Sequence, residues 1–347
     1  MNQELFVSIF HNNVKSSLKN SMFDIQNNKM TEVPIFVKLK LLLKQNNINL
    51  NTYDIVCPKP SYINIHWDMP YPTPSNFHIW KRIFFDRKKN ILIATEPPTV
   101  NPFNYMKIFH GFFTKIYTWN DQLVKNNKYV KFRLPKASTG IKTKALKFQN
   151  KKFLIMVNSN KSFFYPFKLF SPFGRELYSE RIRAVDFFQK TIPDKFFLYG
   201  RGWNKTKKHN LKEFLFSSKK YSTYKGEIDN KIKLLSGFKY CLCFENLTNV
   251  KGFITEKIFD CFKARCIPVY WGATDIEKYI PKNCFIDFRD FRDFKKLLLF
   301  LDSVNEKKYD NYIKNIEKFM MDKKLIEPWF EDGFSNFFLE KILEFKK

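Results

Sequence analysis

Short apolar runs alternate with polar, turn-forming stretches along the whole chain, and run length separates strands from helices. Four to eight apolar residues bounded by Gly, Pro or Asn read as a buried strand; apolar residues at three- and four-residue spacing read as a helix. In the first 150 residues, Phe6–Phe10, Tyr62–Ile65, Ile91–Ala94 and Lys115–Tyr117 fit the strand pattern. Ile91–Ala94 runs into Thr95-Glu96-Pro97-Pro98, so it should deliver a loop at its carboxyl end. Pro58, Pro60, Pro70, Pro72 and Pro74 mark further loops. Beyond residue 150 the alternation is regular. Strands are predicted at 153–157, 196–199, 240–244, 267–271 and 284–288, and helices over Arg175–Lys190, Ile228–Leu235, Glu256–Lys263, Asp275–Tyr279 and Phe291–Val304. The tail Tyr309–Lys347 reads as helical and aromatic-rich. Strand–helix alternation predicts an α/β protein with parallel sheets. The basic, polar stretch Thr139–Asn150 divides it into domains 1–150 and 151–308, followed by the tail 309–347. Such sheets bind ligands outside the carboxyl ends of their strands. The loops at Pro98, Gly202, Asn246 and Gly272 are therefore the candidates.

Charge adds a partner. The 347 residues hold 61 Lys+Arg against 33 Asp+Glu, a net +28. That excess predicts an anionic ligand: nucleic acid, a membrane surface or a phosphorylated substrate. A hydrophobic content of 44% with 41 Phe excludes disorder. No stretch reaches the roughly 20 apolar residues of a membrane span. Glu4 precedes the first apolar run, the reverse of a signal peptide's charge order. The six cysteines form no Cys-x-x-Cys pair and read as small buried hydrophobes in a reducing compartment. A cytoplasmic protein, peripheral at the inner leaflet, is the expectation.

The densest chemistry lies in Cys243-Phe244-Glu245-Asn246, then Gly252-Phe253-Ile254-Thr255-Glu256-Lys257. A polar loop there enters a helix with Thr255 as N-cap. The first amides of a helix lack internal partners and attract anions, and Lys257 adds a cation. Glu256 in the first turn also suits the helix dipole without any ligand. The following Cys266-Ile-Pro-Val-Tyr-Trp-Gly272 places a Pro within a strand and a Gly at its exit, which suggests close approach of the backbone to something. No Gly-x-Gly-x-x-Gly follows a strand, no P-loop is present, and no Asp-x-Asp triplet occurs.

Phe244-Glu245-Asn246, Gly252–Ile258, Ile267–Gly272 and Ile280–Ile286, in this order, resemble the donor-binding core of the family-ten fucosyltransferases, the α-1,3/α-1,4 enzymes. The resemblance implies a GT-B fold: two Rossmann-like domains facing a cleft, with C-terminal helices. It implies inverting transfer of fucose from GDP-fucose to a hydroxyl of an oligosaccharide or glycolipid, commonly on N-acetylglucosamine or glucose, as in lipopolysaccharide or protein glycosylation. Glu96 resembles the family's general base. Arg183 resembles its phosphate-contacting arginine, with Arg181 a neighbouring alternative, and Lys257 its companion. Glu256 is expected on the ribose, and Glu245, Asn246, Phe253 and Thr255 around the donor. Phe253 stands where family members usually carry Tyr, so a hydroxyl is missing and another donor such as GDP-mannose stays open. The implied site needs no metal, with divalent-ion stimulation left open. A basic nucleic-acid-binding protein is the rival reading; scattered cations such as Lys205, Lys207 and Lys208, without a recognised motif, speak against it. His66-Trp67-Asp68 and Trp119-Asn120-Asp121 set an aromatic beside polar groups and are candidates for the acceptor side.

Overall fold

Parallel pairing of short buried strands builds two sheets in the computed structural model, which describes residues 4–12, 17–26, 32–55, 60–137, 143, 146–161, 173–204, 221–291 and 293–345. Cys57, Pro58 and the Lys205–Lys208 cluster lie outside these residues. The first sheet holds β1 (Leu5–His11), β2 (Ile48–Thr52), β3 (Ile63–Trp67), β4 (Asn90–Ala94), β5 (Lys115–Thr118) and β6 (Tyr129–Lys131), ordered β2-β1-β3-β4-β5-β6. The second holds β7 (Lys152–Val157), β9 (Phe196–Tyr199), β10 (Phe238–Phe244), β12 (Ile267–Trp271) and β13 (Ile286–Asp287), ordered β13-β12-β10-β7-β9. β8 (Arg175–Glu176) pairs antiparallel with β11 (Leu247–Thr248) beside it. Every pairing within the two large sheets is parallel. Such strands need apolar residues on both faces, which is why β4 and β10 are near-continuous apolar runs. The strand order reverses at β1/β3 and at β7/β10, and a crevice opens at such switch points.

Helices cover the sheets: α1 (Val33–Gln45), α2 (Phe77–Phe85) and α3 (Lys107–His110) in the first half; α4 (Tyr178–Thr191), α5 (Lys231–Leu235), α6 (Glu256–Lys263) and α7 (Phe294–Ser303) in the second; then α8 (Glu306–Met321), α9 (Lys323–Ile326) and α10 (Glu331–Glu344). The tail crosses back. Phe334, Phe338 and Ile342 of α10 join the core of the first sheet, and Lys38 of α1 pairs with Asp332. The first core also extends to Leu247, Val250 and Phe253, so the halves share packed surface. The fold is the α/β, two-sheet arrangement with C-terminal helices that the resemblance implies.

Several predicted elements change. The helix read over Asp275–Tyr279 is a 3-10 turn at Ile276–Lys278, and those read over Ile228–Leu235 and Phe291–Val304 begin at Lys231 and Phe294. The helix over Arg175–Lys190 begins only at Tyr178, because Arg175–Glu176 is drawn into β8. The strand from Cys284 shortens to Ile286–Asp287, flanked by 3-10 turns at Lys282–Cys284 and Phe288–Asp290. Cys241 and Cys243, alternate residues of β10, lie in one apolar cluster, and all five described cysteines are free and buried. Among the described residues no helix is long and apolar enough to cross a membrane.

Candidate functional site

Glu96 stands in the loop after β4, and Asp68 at the end of β3 holds that loop in place. Asp68 accepts from the Thr95 amide at 2.7 Å, the Thr95 hydroxyl at 2.6 Å, the Glu96 amide at 3.0 Å and Asn104 Nδ2 at 2.6 Å. The Glu96 carbonyl accepts from Tyr105 Oη at 2.8 Å and Asn104 Nδ2 at 3.2 Å. The backbone of Glu96 is thus tied on both sides, while its carboxylate accepts no hydrogen bond from a described residue. Burial, and then the nearby Asp68, push the Glu96 carboxyl up to about 7, with Lys161 and Lys257 only partly offsetting them. A carboxylate tuned close to neutral pH is suited to general-base work.

β10 and α6 build the facing wall. Glu245, fully buried, accepts from the Thr255 amide and hydroxyl at 2.8 Å each and from Lys257 Nζ at 3.0 Å. Thr255 caps α6, its hydroxyl accepting from the Lys257 amide at 3.4 Å. One buried carboxylate therefore fixes both the cap and the cation. Gly272 allows this: a Cβ there would lie 2.4 Å from Tyr270 Oη and 2.5 Å from Glu245 Cγ. The close approach inferred from the sequence is to Glu245 itself. Gly272→Ala is expected to cost about 1–3 kcal/mol of stability, read as a lower melting temperature; an unchanged melting temperature would show that Glu245 can yield.

Glu96, Asn246, Phe253, Thr255, Glu256 and Lys257 all line one cleft, together with Trp67 and Lys136. The Glu256 side chain is 56% exposed, so the raising effect of burial is small, and Lys257, Lys231 and Lys136 hold its carboxyl below the ordinary range. Phe253 turns its ring against Trp119, 4.6 Å between centroids, at the contact between the two halves. Gly252 beside it, at φ 79°, permits an approach that a Cβ would block against Trp119 O and Lys131 Nζ, each 2.3 Å away.

Arg183 is not brought to this wall. Its side chain is 70% exposed and pairs with Glu180 at 3.0 Å. Arg181, two residues earlier, lies on the opposite side of α4. It is buried, donates from Nη2 to the Phe244 carbonyl at 2.7 Å and to Asn246 Oδ1 at 2.9 Å, and its Nε has no partner among the described residues. Successive helix positions turn by 100°, so residues two apart face away from each other. Glu245 also differs from expectation in position: it lies behind Thr255 and Lys257 rather than on the cleft lining.

Two residues escaped the sequence reading of the site's chemistry. Asp68 belonged to a candidate acceptor triplet, and nothing in the sequence links it to the Glu96 loop 28 positions on. Lys136, in the connection between the sheets, resembles any basic linker residue, yet it is 4% exposed. Its amide donates to the Trp329 carbonyl at 2.7 Å, while its ammonium has no hydrogen-bond partner among the described residues. Burial lowers the Lys136 ammonium to about 8 against the pull of Glu256 and Glu245. Among the described residues, no group of three or more His, Cys, Asp or Glu is placed to hold a metal.

A carboxylate carried by one parallel-sheet half faces Lys257, the start of α6 and the linker's Lys136 across this cleft. With two parallel sheets facing one cleft, that layout is the GT-B arrangement. Residues 179–332 match the C-terminal domain of glycosyltransferase family 10 (fucosyltransferase). Over 63 residues it is 40% identical to the alpha-(1,3)-fucosyltransferase FucT of Helicobacter pylori, 18% of this chain and 13% of that protein. Over 87 residues it is 38% identical to the mouse 4-galactosyl-N-acetylglucosaminide 3-alpha-L-fucosyltransferase 9, 24% of each chain. The matched stretches thus span a quarter or less of these relatives. Among solved structures, an alpha1,3-fucosyltransferase with GDP-fucose superposes with a TM-score of 0.52 at 18% identity, covering 89% of this chain and 81% of that one. A DNA-modifying beta-glucosyltransferase gives 0.53 at 12% identity, covering 97% and 99%. At such identities the likeness is one of fold.

Proposed function

We propose that this chain transfers fucose from GDP-fucose, with inversion, to a hydroxyl of an oligosaccharide or glycolipid acceptor. The observation that carries the reading is Glu96, pushed up to about 7, facing the partly buried Lys257 and the buried Lys136 across one cleft. In a single displacement the acceptor hydroxyl attacks the anomeric carbon while its proton passes to Glu96. The bond from that carbon to the diphosphate oxygen breaks, and GDP leaves with added negative charge. Lys257, Arg181, Lys136 and the first amides of α6 meet that charge without reorganising. Arg181 takes the part assigned to Arg183 from the sequence, because it is the arginine next to Asn246. Glu256, held ionised by three lysines, accepts from ribose hydroxyls. Asn246 and Phe253 bound the sugar pocket. The names of the curated relatives support an α-1,3 linkage to N-acetylglucosamine. Incubation with GDP-fucose and a panel of β-linked lactosamine and glucosyl acceptors, with NMR of the product's anomeric proton, tests this. An α-linked fucoside is expected, and a retained β-linkage would end the inverting mechanism.

The two perturbed groups set a pH signature. Glu96 must be ionised, which requires pH above about 7, and Lys136 must be charged, which requires pH below about 8. The kcat/KM profile is expected to be a narrow bell between these values. Lys136→Met should raise the donor KM and remove the alkaline limb; an alkaline limb that persists in Lys136→Met would exclude Lys136 from donor binding.

A further inference from the structure

The solvent side of α2 is apolar where an ordinary surface helix is polar. Ile79, Trp80 and Ile83 bury one face against the sheet. On the other face Phe77 is 64% exposed, Phe84 39% and Phe85 80%, with Ile108 of the adjoining α3 74% exposed. The positions 77, 81, 84 and 85 follow helical spacing, so Phe77, Lys81, Phe84 and Phe85 form one stripe. α3 is seated beside it: Phe109 packs on Trp80 at 4.9 Å and Phe112 on Phe84 at 4.6 Å. The rim is cationic, with exposed Lys81, Arg82, Arg87, Lys88, Lys89 and Lys107. Asp86 is the one acidic residue between Phe77 and Lys89. Contiguous exposed apolar surface rimmed by charge marks an interaction site.

We infer that this α2/α3 face docks on an anionic lipid bilayer, with Phe77, Phe85 and Ile108 entering the interface and the six cations meeting lipid headgroups. Aromatic side chains with flanking Lys and Arg are the composition that binds in the plane of an acidic interface. A second copy is the poorer occupant. It would bring the same six cations, on a chain of net +28, against their like. The location also has a use. α2 starts from the sheet edge at which β3 ends and the Glu96 loop begins. A bilayer against α2 would lie beside the acceptor side of the cleft, where a lipid-linked acceptor enters.

Co-sedimentation of the full chain with phosphatidylcholine vesicles, with and without about three-tenths phosphatidylglycerol, tests the inference. The wild type is expected to bind the anionic vesicles at least tenfold more tightly. Phe77→Ser with Phe85→Ser, and separately Lys81→Glu with Lys88→Glu, should each lose most of this binding while melting temperature and donor turnover in detergent-free solution stay unchanged. Lys307→Glu with Lys314→Glu on α8 makes the same change in net charge on exposed residues elsewhere and should retain it. Equal loss in the α8 control would overturn the docking face in favour of diffuse charge attraction. A wild-type dimer in light scattering that the Phe variant abolishes would overturn it in favour of self-association.

Discussion

Glu96→Gln is expected to lower fucosyl turnover by about 10²–10⁴-fold, the usual contribution of a positioned base, while leaving GDP affinity unchanged. Gln matches Glu in shape, and the loop is held through its backbone by Asp68, Asn104 and Tyr105 rather than through the side chain. The amide therefore sits where the carboxylate sat and cannot accept the proton. Stability gives an independent check. A carboxyl raised to about 7 in the fold binds its proton more tightly there than in the unfolded chain. Its contribution is present at low pH and is lost as pH rises from the ordinary carboxyl range through about 7. Gln carries no such loss, so above neutral pH the variant should be at least as stable as the wild type. Calorimetry across pH 5–9 (roughly the span over which the group titrates) reads this. A less stable variant above neutral pH would mean that the Glu96 carboxylate is a structural group.

Arg181→Met is expected to raise the KM for the donor by about tenfold to a hundredfold, since a hydrogen bond to a charged group contributes about 1.5–3 kcal/mol. Arg183→Met should leave it within error, because an exposed i,i+3 pair contributes little. The comparison is internally controlled: the two residues share one helix and differ in side. Arg181 also braces the carboxyl end of β10, so melting temperatures must accompany the kinetics. A large effect at Arg183 with none at Arg181 would return the phosphate-binding role to Arg183.

These two predictions mark what the sequence could and could not reveal. Glu256–Lys263 and Ile267–Trp271 are found where they were read, because a Thr cap, an apolar stripe and a terminating Gly are all local signals. The Gly272 constraint was legible for the same reason, although its partner, Glu245, was not. α1, β2 and α2 had no comparable punctuation. Their apolar residues are mixed with Lys and Asn, and only packing on the first sheet settles their form. Within α4 the spacing of apolar residues gave a helix but not its phase, and two residues of phase separate Arg181 from Arg183. Asp68 and Lys136 lie far from their partners in sequence. Asp68 becomes a clamp because β3 neighbours β4. Lys136 is buried because the linker runs past Trp329 on its way between the sheets. The aromatic excess was visible as composition, but its unburied share on α2 needed the fold.

The most direct test is turnover by the unmodified protein with GDP-fucose and with GDP-mannose, each with and without a β-linked lactosamine acceptor, followed as GDP release. The account predicts acceptor-dependent release from GDP-fucose and little from GDP-mannose. Preferential, acceptor-dependent release from GDP-mannose would contradict the fucosyl assignment and leave the fold and the Glu96 base intact; release from neither donor with any acceptor would contradict the account as a whole.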